Sequence, residues 1–393
     1  MKVAIDKKLN LNKSSWKPVK FGDVVTEPKE STRDIVGDGF KHIVGLEHID
    51  TENIHLKRWM EVGGETTFSK VFRKGDVLFG RRRAYLKKAA LANFDGVCSG
   101  DITVFRTKSN LIPELLPFIV NNERFFDYAI KHSAGGLSPR VKFKDLANFE
   151  FLLPPKEEQK KLAELLWAMD DVIEKEKRLL ATLDSTYLSI IEKKLIDHTQ
   201  QKMFIAQMGE VIRGVNYKPE DLLDEIDENS CIILRSNNIS DGKINFNDIK
   251  ILPKNKVKDN QILKSDDFAI CMSNGSKELV GKASRFYTSP NYLSIGSFCA
   301  GFRPKNTLYS DILQHLFASE NYRQKIKRTL SGSAINNLKP SDIEELFFRI
   351  NPSSTETTKI IKNLNVISKS KIDTENKTFS SQTLQKSLIN QIF

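Results

Sequence analysis

Slid along itself by 197 places, the sequence matches residues 99–155 to residues 296–352 without a gap. No other feature limits the fold as much, because a chain that repeats itself is built from repeated supersecondary units. Phe105, Arg106 and Lys108 fall on Phe302, Arg303 and Lys305, Leu111 and Leu116 on Leu308 and Leu313, and Glu123 on Glu320. Gly135 meets Gly332, Asp145 meets Asp342, Phe151 meets Phe348 and Pro155 meets Pro352. Upstream the match continues with small shifts. FGDVV from Phe21 resembles MGEVI from Met208, LEHID from Leu46 resembles SNNIS from Ser236, and KGDVLFGRRR from Lys74 corresponds to SDDFAICMSN from Ser265. Two modules follow, 16–155 and 199–352, behind a tail at 1–15. Duplicated architecture without shared function is the alternative.

Within a module the pattern is α/β mixed. The stretches DVLFG, DITVF and FEFLL are short, β-rich and bounded by turn residues, as strands of a curved sheet are. PELLPFIVNNERFFDYAIKHS carries apolar residues at helical spacing and stops before Gly135 and Gly136, which predicts one helix with glycine termination.

Each module is followed by a helix. From Lys156 to Leu195 there is neither Pro nor Gly, good helix formers dominate, and Pro154 and Pro155 stand at the start. A heptad reading puts Leu162, Met169, Glu176, Leu183 and Ile190 at one core position and Leu166, Ile173, Leu180, Tyr187 and Lys194 at the other. That predicts a coiled-coil seam roughly 60 Å long. After Pro352 a looser stripe runs through Ile360, Leu364, Ile367, Ile372, Phe379, Leu384, Leu388 and Ile392, with a polar centre from Ser368 to Lys377. The expected fold is therefore two tandem α/β domains separated by two long antiparallel helices (156–198 and 353–393) that form a coiled coil, with a pseudo-twofold internal repeat. Packing of each helix on its own domain is the other option.

Composition narrows the partner. Lys and Arg number 61 against 50 for Asp and Glu, a formal charge of +11, which favours a polyanion such as nucleic acid. No apolar run approaches the ~20 residues of a bilayer span. The start, MKVAIDKKLNLNKSS, lacks the apolar core of a signal peptide, so a cytoplasmic location is expected and no membrane partner. Cys98, Cys231, Cys271 and Cys299 lie far apart with no CxxC pair, and the six histidines are scattered. They read as small core fillers, and no metal site is expected.

Enzyme motifs are missing. GSKELVGKAS from Gly275 has five residues between its glycines where a phosphate loop needs four, and Ala283 where Ser or Thr should bind magnesium. There is no GxGxxG and no Asn-Pro-Pro-Tyr or Asp-Pro-Pro-Tyr, and INPSS at Ile350 lacks the second proline and the aromatic.

The segment FLLPPKEEQKKLAELLWAMDDVIEKEKRLLATLDSTYLSIIEKKL resembles the central conserved region of type I restriction-modification specificity subunits. Pro154, Pro155, Glu158 and Gln159 match that family's PPxxEQ element position by position. The opening WKPVKFGDVV from Trp16 and the glycine turn followed by DLANFEFLLPP resemble the start and finish of a target recognition domain. The second copy departs from it, with INPSSTE keeping only Pro352. The resemblance implies a non-catalytic subunit that reads a bipartite site in double-stranded DNA, one half-site per domain. It implies two modification subunits that use S-adenosylmethionine, a restriction subunit driven by ATP, and no cofactor in this chain. Pro154, Pro155, Glu158, Gln159, Leu162, Leu166 and Met169 would then carry partner docking. An autonomous DNA-binding or scaffold protein is the rival reading.

Two places offer DNA contacts. From Phe72 to Ala92 the chain holds Arg73, Lys74, Arg81, Arg82, Arg83, Lys87 and Lys88 against a single Asp76, and arginines there would hold phosphates or guanine edges. The matching stretch MSNGSKELVGK offers Ser273, Asn274, Ser276 and Lys277. The glycine turns HSAGGLSPRVKFKD and TLSGSAINNLKPSD have equal length and offer Arg140 and Lys142 in one module, Asn336, Asn337 and Lys339 in the other. A solvated basic loop and a plain helix-to-strand turn are the alternatives.

Overall fold

In the computed structural model, residues 11–63, 66–240, 242–287, 292–331 and 336–393 are described. Gly332, the repeat partner of Gly135, lies outside them. The chain divides into two compact units, Met1–Lys177 with Asn376–Phe393, and Arg178–Glu375. Each takes one α/β module and part of both long helices.

In the first unit a four-stranded antiparallel sheet runs in the order Val25–Thr26, Ile102–Thr107, Val77–Gly80, Ala89–Leu91. Val77–Gly80 is an unbroken apolar run buried along its whole length, as a central strand covered on both faces must be. A second sheet sets His42–Val44 parallel to Gly96–Cys98, with Met60–Glu61 and Lys70–Phe72 outside. Lys17–Lys20 pairs with Glu150–Leu153 beside the start of the central helix. Phenylalanines fill the core between the first sheet and its helices, with Phe21 and Phe105 in edge contact at 5.1 Å.

The second unit repeats this plan. Gly209–Arg213, Cys299–Pro304, Phe268–Cys271 and Ala283–Arg285 form the four-stranded sheet. Ser230–Leu234 pairs in parallel with Leu293–Ile295, and Lys202–Phe204 pairs with Phe347–Arg349. Register corrects one part of the sequence match. Val25 faces Thr107 while Gly209 faces Pro304, and the amide of Phe21 donates to Phe149 as that of Ile205 does to Leu346. Phe21 therefore corresponds to Ile205 rather than to Met208. Backbone pairing places these short elements, and the FGDVV likeness is too brief to set their register.

The segment predicted as one helix breaks in two. A 3-10 turn at Pro113–Leu115 leads into Leu116–Val120, and a second helix spans Glu123–Lys131. Asn122, extended at ψ 142, accepts from the Arg124 amide and so caps the second helix. The second module breaks at the same place, between Thr307–Phe317 and Glu320–Ser331. There Ser319 accepts from the Tyr322 amide.

The central helix runs unbroken from Lys156 to Ile190 and ends in a π turn, Ile191–Leu195. Leu162, Leu166, Ile173 and Tyr187 are buried as the heptad reading requires, whereas Lys194 is exposed. The π turn moves the last buried positions to Ile191 and Leu195. The C-terminal helix, Thr355–Ile392, departs further from expectation. Ile372, Phe379 and Leu384 are exposed, Phe379 at 71%, and Thr374 and Thr378 are buried in their place. A spacing of three and four residues carries the buried side from Thr357, Ile360 and Leu364 through Thr374 and Thr378 to Leu388 and Ile392, so the buried side passes through the polar centre.

Both helices complete the module cores. In the first unit Leu162, Ala163 and Leu166 join Leu388, Ile389, Ile392 and Phe393 in one cluster with Trp16 and Leu153. The last helical carbonyls are capped there: Lys13 Nζ donates to Gln391 and Ile392 at 2.7 and 2.9 Å, and Arg124 Nη1 to Phe393 at 2.6 Å. In the second unit Tyr187, Ile191 and Leu195 join Ile360, Ile361 and Leu364. At about 1.5–3 kcal/mol per buried aliphatic side chain, these contacts are a large share of what holds each helix on its module. All four cysteines are buried, and burial pushes the Cys98 and Cys299 thiols up to about 12, in keeping with core fillers.

Candidate nucleic-acid interface

The two candidate stretches of the first module meet at one place. Strand Val77–Gly80 runs out into Arg81, Arg82 and Arg83, and this exit is clamped by two other segments. The Arg81 amide donates to the Asp101 carbonyl at 3.0 Å, the Arg83 amide to Pro139 at 2.8 Å, and the Val141 amide to Arg81 at 3.0 Å. Arg82 and Arg140 face each other across an antiparallel bridge. A three-segment joint results, made of the strand exit, the turn before Ile102 and the glycine turn.

Its side chains are organised by Asp101. Arg82 Nη1 donates to Asp101 Oδ2 at 3.1 Å, Arg140 Nε to Oδ1 at 2.7 Å, and Arg82 Nη2 to Ser138 Oγ at 3.0 Å. Burial pushes the Asp101 carboxyl up, but the hydrogen bonds from Arg140 and Arg82 outweigh it and hold the group below its usual range. Arg81 Nε reaches the Val141 carbonyl at 3.2 Å. Arg83 takes a left-handed backbone, φ 54, and is exposed. Two guanidiniums thus hold the Asp101 carboxylate, and Arg81 and Arg83 flank them on the same strand exit, so positive charge is in excess at the joint. Leu137, 96% exposed at the tip of the glycine turn, stands beside them.

Lys87, Lys88 and Lys142 are not part of this cluster. The Lys87 ammonium pairs with Glu123, which also holds Lys386 at 2.7 Å, and Lys88 Nζ donates to the Leu46 carbonyl at 2.6 Å. Lys142 is exposed at the start of the short helix Phe143–Leu146.

In the second module the same joint recurs with other side chains. The Met272 amide donates to the Phe298 carbonyl at 2.9 Å, the Leu338 amide to Met272 at 2.8 Å, and the Asn274 amide to Asn336 at 3.4 Å, while Ser273 bridges to Asn337. Bond by bond, 81–83 corresponds to 272–274, 101 to 298 and 139–141 to 336–338. Asn274 Nδ2 donates to Ser236 Oγ at 3.2 Å and Asn336 Nδ2 to the Gly275 carbonyl at 3.3 Å. Ser276 and Lys277 lie on the exposed turn beyond Asn274, and the Lys339 amide donates to Asp342 Oδ2 at 2.6 Å. Sequence reasoning missed Asp101 and Phe298, although the constant offset of 197 places them opposite each other.

Of the residues expected to dock a partner, most face inward. Trp16 Nε1 and Ser15 Oγ donate to Glu158 at 2.7 and 3.0 Å. Gln159, 1% exposed, accepts from the Ile112 amide at 3.0 Å and donates to the Asn110 and Pro154 carbonyls at 3.1 and 2.9 Å. Pro154, Leu162 and Leu166 are buried, Met169 half-buried and Pro155 exposed. The open side of this helix in the first unit carries Leu165 and Val172. Among the described residues no cluster of His, Cys, Asp or Glu could hold a metal ion, and no helix is long and apolar enough to cross a membrane.

Residues 13–185 match the family model of the type I restriction modification DNA specificity domain. Over 148 residues, 38% of this chain, the sequence is 35% identical to the type I restriction enzyme EcoKI specificity subunit of Escherichia coli (strain K12). It is also 35% identical over 163 residues, 42% of this chain, to the StySPI specificity subunit of Salmonella potsdam. These matches span 32% and 35% of the relatives' own lengths. The fold is similar over 98% of both chains to the type I restriction-modification S subunit from M. genitalium, with a TM-score of 0.63 at 15% identity. It is similar over 96% of both chains, with a TM-score of 0.55 at 20% identity, to a chain solved in work on complex assembly and conformational transition of the type I R-M system.

Proposed function

We propose that this chain, whose residues 13–185 match the family model of the type I restriction modification DNA specificity domain, is the specificity subunit of a type I restriction-modification complex. It reads a bipartite target in double-stranded DNA, one half-site through each module, and catalyses nothing itself. The observation that carries this reading is the three-segment joint, whose backbone bonds recur in both modules while its side chains change from guanidiniums to amides. A shared frame with different readers is what two unlike half-sites require, since backbone contacts position a protein and side chains on base edges specify sequence.

In this reading 16–155 and 199–352 are tandem target recognition domains. The helices at 156–198 and 353–393 pair antiparallel as a coiled coil, which agrees with the start of one sharing a core with the end of the other. Two modification subunits carrying S-adenosylmethionine dock on the helical region, and ATP-driven restriction subunits join them in the cytoplasm. The Glu158 and Gln159 bonds fix the helix start, and Leu165 and Val172 offer the apolar surface beside it. Arg81, Arg82, Arg83 and Arg140 contact one half-site, and Ser273, Asn274, Asn336 and Asn337 the other.

The test is to assemble the chain with type I modification subunits and map the adenines the complex methylates. Two short half-sites at one constant spacing are expected. A chain that binds specific DNA but never associates with a modification subunit would instead be an autonomous DNA-binding or scaffold protein.

A further inference from the structure

The equivalence of positions 101 and 298 has a chemical meaning. Both sit at the turn that leads into the longest strand of their sheet, closed by the same bond, Ile102 amide to Ser99 and Cys299 amide to Gly296. Both carbonyls take the amide of the strand exit. In the first module this position holds the carboxylate that organises Arg82 and Arg140. In the second it holds Phe298, 70% exposed. A phenyl ring left mostly in water at a polar joint contributes little burial to the fold.

The chemistry around the ring narrows its partner. An A·T pair presents in the major groove an acceptor and a donor on adenine, which an amide side chain matches with two hydrogen bonds, and beside them the methyl group of thymine, which only an apolar surface matches. Amide and phenyl at one joint are that pair of complements. Guanidiniums, as at the first module's joint, match the two acceptors of guanine instead. Resting on the specificity-subunit reading above, we infer that Phe298 is a specificity-determining residue that packs on a thymine methyl in the half-site read by the second module, with asparagine beside it on the paired adenine.

The experiment uses the complex with modification subunits and a randomised pool of duplexes, from which the wild type selects its target. Each thymine of the selected half-sites is then replaced by deoxyuridine, which removes the methyl alone. One such replacement is expected to weaken wild-type binding about fivefold or more. With Phe298→Ala the same replacement has no further effect, and preference for that A·T pair falls while the other half-site is unchanged. Phe298→Leu, which keeps an apolar contact, retains part of the preference. A selected target with no sensitive thymine overturns the inference, as does equal sensitivity in wild type and Phe298→Ala, or a loss of preference in both half-sites. Failure of the wild type to select any bipartite sequence would remove the specificity-subunit reading itself.

Discussion

Arg106 closes on Asp76 through two hydrogen bonds of 2.7 Å, from Nε to Oδ1 and from Nη2 to Oδ2. Arg303 holds Asp267 in the second module in the same way, with Nη2 to Oδ2 at 2.7 Å. Both carboxylates are buried, so each arginine neutralises a charge that would otherwise lie unpaired inside the protein. Arg106→Ala is therefore expected to destabilise the first unit by about 3–5 kcal/mol, and Arg303→Ala the second by a similar amount. Denaturant unfolding of each variant checks this, and a loss below about 0.5 kcal/mol would show that the pair is not needed.

These pairs also explain what the repeat reports. Phe105 and Phe302 are fully buried, Arg106 and Arg303 hold the carboxylates, and Lys108 Nζ donates to the Gly22 carbonyl. The identities that make the duplication legible are thus scaffold residues, and they mark the strands that recur in both modules. They say little about the proposed reading surface, because the joint assigned to it differs between the halves, with Asp101 in one and Phe298 in the other. The C-terminal helix is hard to read for a related reason. Apolar residues do not by themselves mark its buried side, since Thr374 and Thr378 are buried while Phe379 is in solvent, so spacing is the better guide than polarity.

At the arginine joint the salt dependence of DNA binding separates contact from charge. Replacing Arg83 and Arg140 together by alanine is expected to reduce the slope of log affinity against log salt by about 1–2, one for each phosphate no longer neutralised. Lys87→Ala, which removes a partner of Glu123, should leave the slope unchanged. Equal slopes for all three proteins would take Arg83 and Arg140 off the DNA.

Gln159→Ala leaves the Ile112 amide and two carbonyls without their partner in a buried place. A loss of about 2–3 kcal/mol follows, with faster hydrogen exchange at the Ile112 amide. If the variant exchanges like the wild type but no longer binds modification subunits, Gln159 belongs to the docking surface instead.

Acid should weaken the second unit through His315. Its Nδ1 accepts from the Tyr187 hydroxyl at 2.7 Å, so its Nε2 carries the proton and donates to Asn365 Oδ1 at 2.9 Å. Burial pushes its pKa down from 6.5 to about 4. The folded value lies below the unfolded one, so the stabilisation is complete above about pH 6.5 and is lost as the pH falls towards 4, by on the order of 3 kcal/mol. His315→Phe, which installs the residue found at the matching Phe118, should be less stable at pH 7 yet show a flatter decline between pH 6.5 and 4. An unaltered decline would place the acid sensitivity in another group.

The joining of Leu388, Ile389, Ile392 and Phe393 to the core around Trp16 and Leu153 sets an order of events during synthesis. The module translated first waits for these residues to leave the ribosome before its core can close, whereas the second unit needs nothing beyond residue 375. A nascent chain with residue 375 clear of the ribosome and the rest still inside it would carry a complete second unit behind an incomplete first one, with the apolar side of Leu162 and Leu166 open until the remaining residues emerge.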